Sequence, residues 1–221
     1  MGKNCVQEVL KTAPERIEKI ITAQPAPHLK KYDIPIEVKP KEALSKLVQS
    51  ESHQGILAYV KEKSHLNLKE FLSRDLDKSL VIMLDSIFDP QNLGAILRAA
   101  ECFGVNAVVW SKNRGVDITP VVSKVSVGAT ELVDTMKVSN LAETVKRFQD
   151  KGYYAVTAEV GEGAESLYDF EFPSHTLLIL GSEGKGVQPL ISKRADFKVY
   201  IPMHGQIDSL NVSQATAVFL S

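Results

Sequence analysis

Leu80-Val81-Ile82-Met83-Leu84 runs directly into Asp85-Ser86-Ile87-Phe88-Asp89-Pro90-Gln91-Asn92-Leu93-Gly94-Ala95-Ile96-Leu97-Arg98, and the change of character along this stretch decides the fold. Consecutive apolar residues without alternation read as a strand covered on both faces, the condition of a parallel sheet. Beyond the polar loop, Leu93, Ile96, Leu97 and Ala100 recur at helical spacing, and Gly104 ends the helix. Similar units follow downstream. Strands are expected over 107–110, 153–157, 176–180 and 198–202, with helices opening at Thr119-Pro120 and at Asn140 with Glu143, and a last helix over 211–220. Strands alternating with helices give an α/β fold with a mostly parallel sheet over residues 79–221.

Upstream the pattern differs. Residues 6–24 read as a helix broken at Pro14 and then a short strand or turn, 41–50 as a second helix, and 55–60 as a strand bounded by Gly55 and a charged run. This is a small mixed α+β domain over residues 1–63. Residues 64–78 are polar and read as a linker, in which Leu68, Phe71 and Leu72 suggest a connecting helix rather than part of a core.

The 221 residues are 44% hydrophobic and 24% charged, with a mean hydropathy of −0.06, the composition of an ordinary globular protein. No stretch is apolar enough to span a bilayer, and charge interrupts the first residues, so neither a membrane role nor a secretory leader is expected. A cytoplasmic location follows. Cys5 and Cys102, far apart and without Cys-x-x-Cys spacing, are expected to be buried small hydrophobes, not a disulfide or zinc pair. The histidines at 28, 53, 65, 175 and 204 show no ligand spacing, so no metal is expected. A net charge of −1 argues against gripping nucleic acid by net charge alone. Its distribution points weakly to RNA contact near the N-terminus, since residues 1–65 hold 11 Lys and Arg against 8 Asp and Glu and the remainder holds 15 against 19.

Three loops each follow an apolar strand, where open α/β sheets place their ligand sites. In the first, Asn92 taken alone could be a helix cap and Arg98 a solvated helical residue. Helical side chains lean toward the N-terminus, however, so Arg98 stacks over Gly94 and is expected to reach the loop mouth through the space Gly94 leaves. The second, Leu180-Gly181-Ser182-Glu183-Gly184-Lys185-Gly186-Val187, lacks the spacing of a phosphate-binding P-loop or a dinucleotide fingerprint. Its glycines let backbone approach a ligand closely, though a plain turn would look the same. In the third, Ile201-Pro202-Met203-His204-Gly205-Gln206-Ile207-Asp208-Ser209-Leu210-Asn211-Val212-Ser213, the residues Ser209, Asn211 and Ser213 cluster where a loop enters a helix. Each alone could serve only to cap that helix.

Taken in order, Asn92 with Arg98, then Gly181-Ser182-Glu183-Gly184, then Ile201-Pro202-Met203 through Ser209-Leu210-Asn211-Val212-Ser213 resemble the three motifs of the SpoU (TrmH) family of the SPOUT class of RNA methyltransferases. The resemblance covers about the last two thirds of the chain. Val6-Gln7-Glu8-Val9-Leu10 and His53-Gln54-Gly55-Ile56 are similar, more loosely, to the small RNA-binding domain of the branch that modifies guanosine in large-subunit ribosomal RNA. The resemblance implies a sheet whose C-terminal segment forms a trefoil knot, a homodimer, and transfer of methyl from S-adenosyl-L-methionine to a ribose 2'-hydroxyl of RNA, ribosomal rather than transfer RNA. It implies that Gly181, Ile201 and Leu210 contact the cofactor, and that Asn92, Arg98, Glu183, Ser209 and Asn211 form the catalytic surround. At the C-terminus the chain departs from the family, whose last helix usually continues further, which leaves two readings open, a weakened dimer or a truncated sequence.

Such chemistry needs the ribose oxygen held against the methyl and its proton removed. A guanidinium is a poor base near neutral pH, so Arg98 is expected to bind the RNA phosphate and stabilise the developing alkoxide, with Glu183 ordering the second loop and Asn92 orienting Arg98. Rival readings are a non-catalytic RNA-binding or assembly factor on the same fold, a transfer-RNA ribose methyltransferase, and a dinucleotide-binding oxidoreductase. The last is opposed by the missing Gly-x-Gly-x-x-Gly after the first strand.

Overall fold

The apolar run at residue 80 is a central strand in a computed structural model that describes residues 1–182 and 184–221. Two sheets organise the chain. In the first, β1 (Ile17–Thr22) lies between β2 (Ile36–Val38), to which it is parallel, and β3 (Ile56–Val60), to which it is antiparallel. Helix α1 (Lys3–Thr12) supplies Val6, Val9 and Leu10 to a core with Ile20 and Leu29, while α2 (Lys41–Val48) supplies Leu44 to a smaller one with Ile21 and Leu57. Adjacent residues Ile20 and Ile21 thus serve opposite faces, as a strand's two-residue period requires.

After α3 (Leu68–Phe71) comes a seven-stranded sheet in which every pairing is parallel. Its members in chain order are β4 (Ser79–Leu84), α4 (Pro90–Cys102), β5 (Ala107–Ser111), α5 (Pro120–Val125), α6 (Ala129–Leu132), β6 (Thr135–Val138), α7 (Leu141–Gln149), β7 (Tyr154–Ala158), β8 (Glu165–Ser166), β9 (His175–Leu180), α8 (Pro189–Arg194), β10 (Phe197–Tyr200) and α9 (Val212–Leu220). Both faces are covered, which is why the strands read as unbroken apolar runs. On one face Ile82, Leu84, Val108, Trp110, Leu178 and Leu180 pack with α4, α5 and α9; on the other Val81, Met83, Val109, Met136, Leu177 and Ile179 pack with α3, α7 and α8.

The strand order β6-β5-β4-β9-β7-β10-β8 fixes where a ligand can sit. From β4 the chain builds outward through β5 to β6, then crosses over and fills the other side, with β9 returning beside β4. The switch point of the sheet therefore lies between β4 and β9, and the loops leaving them face each other there.

Three expectations need correction. Leu68 and Phe71 do not merely connect: Phe71 is 1% exposed and stacks obliquely on Phe148, so α3 is part of the second core. Cys5 is buried as expected, but Cys102 is exposed at the end of α4. Gly94 opens no path for Arg98, because a Cβ there would lie 2.7 Å from the Val125 Cβ and 3.0 Å from the Val122 carbonyl oxygen. Its missing side chain is filled by α5.

Candidate functional site

The three loops leave β4, β9 and β10 at the same edge of the parallel sheet. At the first, Asp89 rather than Asn92 caps α4, its carboxylate accepting from the Gln91 N–H at 2.8 Å, with Pro90 at the first helical position. Asn92 is thereby released from capping and sits buried in the first turn of α4. Its Oδ1 accepts from Asn211 Nδ2 at 3.0 Å. Asn211 in turn caps α9, its Oδ1 accepting from the Ser213 N–H at 2.8 Å and from Ser213 Oγ at 2.6 Å. An amide pair 119 positions apart in sequence therefore joins the first loop to the third.

Arg98 lies on the exposed side of α4, and among the described residues no hydrogen bond or ion pair holds its guanidinium. A charged donor left open at the rim suits a polyanionic ligand. Ser209 is exposed, and its hydroxyl donates to Asp208 Oδ1 at 3.2 Å; the structure does not bring it onto the amide pair. Leu210 is 37% exposed, and Ile201 is half-buried against the core. Glu183 lies outside the described residues. His204, in the third loop, is exposed.

The second loop is built by close backbone approach. Ser182 and Gly186 exchange N–H···O bonds of 3.2 and 2.9 Å, closing a turn in which Gly184 (φ 77°) and Gly186 (φ 64°) occupy the left-handed region. A Cβ on Gly181 would lie 2.1 Å from the Gly186 carbonyl carbon and 2.3 Å from the Val187 nitrogen, so only glycine fits there. In the third loop the apolar side chains Met203 and Leu210 are partly exposed. Close-approaching backbone in the second loop and partly exposed apolar side chains in the third are of the kinds an adenosyl group needs, its edges hydrogen-bonded and its ring flanked.

One polar centre here was not singled out from sequence. Asp85, at the exit of β4, is fully buried, and its carboxylate accepts from the Gln188 N–H at 2.7 Å, Gln188 Nε2 at 2.5 Å and Ser86 Oγ at 2.9 Å. Gln188 Oε1 accepts from Arg114 Nη1 at 2.7 Å. The signal was an acid immediately after a wholly apolar strand, at an edge where buried charge must find donors. Among the described residues no group of His, Cys, Asp and Glu is arranged to hold a metal ion.

The SpoU rRNA Methylase family matches residues 79–221, and the domain described as RNA 2'-O ribose methyltransferase substrate binding matches residues 1–66. The chain is 36% identical to a 23S rRNA (guanosine-2'-O-)-methyltransferase RlmB of Shewanella oneidensis, covering 99% of this chain and 93% of that protein. With the Escherichia coli protein of that name the identity is 33%, over 99% and 94%. Among solved structures, the SpoU methyltransferase AviRb of Streptomyces viridochromogenes in complex with the cofactor AdoMet shares the fold, with a TM-score of 0.84 at 19% identity over 100% of this chain and 86% of that one. An A. aeolicus TrmH/SpoU tRNA modifying enzyme superposes with a TM-score of 0.59 at 28% identity, over 69% of this chain and 77% of that one.

Proposed function

Because the chain belongs to the SpoU rRNA Methylase family, we propose that it is an S-adenosyl-L-methionine-dependent ribose 2'-O-methyltransferase acting on guanosine in large-subunit ribosomal RNA. The observation that carries this reading is the Asn211–Asn92 hydrogen bond of 3.0 Å, which brings the first and third loops together. When bound, S-adenosyl-L-methionine supplies an electrophilic methyl group. The chain's own residues position the acceptor. Asn92 and Asn211 fix the approach of α4 to α9; the Arg98 guanidinium, always protonated, binds an RNA phosphate and stabilises negative charge on the ribose oxygen while the proton passes to a phosphate oxygen or water. Ser209 contributes a hydroxyl at the ribose, and Glu183 orders the second loop.

The unit over 79–221 carries the chemistry, the unit over 1–63 holds the RNA, and 64–78 join them. The protein works in the cytoplasm as a homodimer, consistent with apolar side chains left exposed on the loops after β4, β7 and β10: Phe88 at 66%, Val160 at 80% and Ile207 at 77%. No described helix is long and apolar enough to cross a membrane. A trefoil knot at the C-terminus is supported by β10, which lies between β7 and β8 and so returns beside the segment 159–164 joining them.

The test is transfer of labelled methyl from S-adenosyl-L-methionine to separated ribosomal and transfer RNA, with ribose methylation mapped by resistance to alkaline cleavage. Label on large-subunit RNA that disappears in Arg98→Ala is the expected result. Cofactor binding without transfer to any RNA would instead indicate a binding factor. Arg98→Lys should keep a reduced rate that does not follow the lysine's titration; a rate that rises with that titration would show a base in this position.

A further inference from the structure

We propose that the loop leaving β5 carries a preorganised phosphate-binding cation, Arg114, that grips the RNA backbone beside the methyl-transfer site. The inference rests on the reading of the protein as an RNA methyltransferase and adds a binding residue outside its three motifs.

Its starting point is the buried Asp85 carboxylate. An ionised carboxylate only accepts, so it orients the Gln188 side chain with Nε2 inward, at 2.5 Å, and Oε1 outward. An outward amide oxygen welcomes a donor, and Arg114 Nη1 fills that place at 2.7 Å. One end of the guanidinium is thereby fixed through Gln188 to a group at the centre of the sheet, and its other N–H groups have no partner among the described residues.

The loop itself is braced from below. The Val116 N–H donates to the Ile87 carbonyl at 2.8 Å, and Gly115, at φ 135°, approaches so closely that a Cβ would lie 2.9 Å from that same oxygen. The loop after β5 is therefore seated on the loop after β4, on the side of the switch point away from β10. Lys112 and Arg114 are exposed there, as is Lys185 in the glycine loop, and none of these cations is paired with a carboxylate among the described residues. The nearby Asp117 is engaged by Lys137.

In a protein whose formal charge is −1, exposed cations with no carboxylate partner among the described residues, on the loops after β5 and β9, are a local departure from the whole. A planar guanidinium with one end pinned and the remainder open matches phosphate oxygens, and it loses little side-chain freedom on binding. The partner that fits is an RNA strand, whose phosphates repeat along the rim.

The experiment measures binding of an unmodified 23S ribosomal RNA transcript across a salt series, together with methyl-transfer kinetics, for the full-length protein, Arg114→Gln and Arg114→Lys. Arg114→Gln should raise the Kd and KM for RNA by about tenfold and reduce the slope of log K against log salt by about 1, leaving kcat and affinity for S-adenosyl-L-methionine unchanged. Arg114→Lys should recover the salt slope but only part of the affinity, because an ammonium is not held by the Gln188 fork. Unchanged RNA affinity and slope in Arg114→Gln would overturn the inference. So would cofactor affinity falling in step with RNA affinity, since Arg114 would then be a brace for the glycine loop. If the unaltered protein binds RNA but transfers no methyl, the enzymatic reading fails while the salt-slope difference still decides the role of Arg114.

Discussion

Single positions at the site are constrained by space as much as by chemistry, and Gly181 is the sharpest case. A methyl group there would overlap the peptide joining Gly186 and Val187, which is backbone and cannot rotate aside. Gly181→Ala must therefore open the turn closed by Ser182 and Gly186. A forced shift of backbone in a packed setting costs about 1–3 kcal/mol, equivalent to roughly tenfold or more in an affinity that depends on the loop. Titration calorimetry should show that loss for S-adenosyl-L-methionine while the far-ultraviolet circular dichroism stays native. An unchanged affinity would mean that the loop does not hold the cofactor. The same scale shows what sequence could reveal of the site. Asn92, Asn211 and Gly181 were legible only through the order of the three motifs they belong to, since singly an asparagine at a helix start or a glycine in a turn is ordinary. The Asp85–Gln188–Arg114 chain was not, because each member is unremarkable alone and the three come together only when β4, β9 and β5 lie side by side. Gly94 was legible as a glycine but not for its reason, since the clash with Val125 exists only once α5 has docked.

At the scale of elements, α4 is the part on which site and core both depend. Its first turn carries Asn92, its exposed side carries Arg98, and its buried side meets α5 at Gly94. Two effects compete in Gly94→Ala: alanine favours the helix by about 1 kcal/mol, whereas wedging a methyl 2.7 Å from the Val125 Cβ opposes it by about 1–3 kcal/mol. Overpacking should win, so the urea midpoint falls and methyl transfer falls with it as Asn92 moves; the pair Gly94→Ala with Val125→Ala should recover much of both. A midpoint that rises instead would mean α5 yields easily. The strands of the parallel sheet were readable because burial on both faces leaves no polar alternation. The short elements β2, β6, β8, α6 and α8 lack enough residues to establish a period, and tertiary packing alone defines them. The misreading of α3 has the same origin: two apolar residues among charges suggest a weak surface helix until Phe148 covers Phe71. The following segment to β4 adds little sequence signal of its own, so the burial of α3 had to come from the assembled sheet.

Across the whole molecule, the substrate-binding part is tied to the catalytic part by specific contacts. Arg16 Nη1 meets Glu131 Oε2 at 2.5 Å, Lys63 Nζ donates to the Glu131 and Val133 carbonyls at 2.8 and 3.0 Å, and the Cys5 thiol, its pKa raised by burial, donates to the Ser123 carbonyl at 3.0 Å. His65 completes the junction, 2.9 Å from Thr135 Oγ1 and edge-on to Trp110, with Nε2 buried and unpartnered among the described residues. Burial holds its pKa below the usual 6.5, with Lys137 and Lys63 acting in the same direction and Asp117 and Glu62 against it. The unfolded chain therefore binds more protons here, so this contribution to stability is complete above pH 6.5 and is lost as pH falls through that value toward the folded pKa. Thermal midpoints should decline on acidification through this window, and less steeply in His65→Gln, which cannot titrate; equal slopes would remove His65 from the account. In the proposed homodimer, exposed apolar side chains on the loops are where a second copy would pack. Phe88, Val160 and Ile207 project from loops after β4, β7 and β10, at the sheet edge where the site lies, and a second copy there would cover them. Ile207→Asp and Val160→Asp place a charge in that contact without touching the amide pair. Sedimentation velocity should show the unaltered protein as a dimer and both variants shifted toward monomer, with methyl transfer reduced more than cofactor affinity. If the variants stay dimeric, the partner binds elsewhere; if they become monomeric and keep full activity, each chain completes its own site.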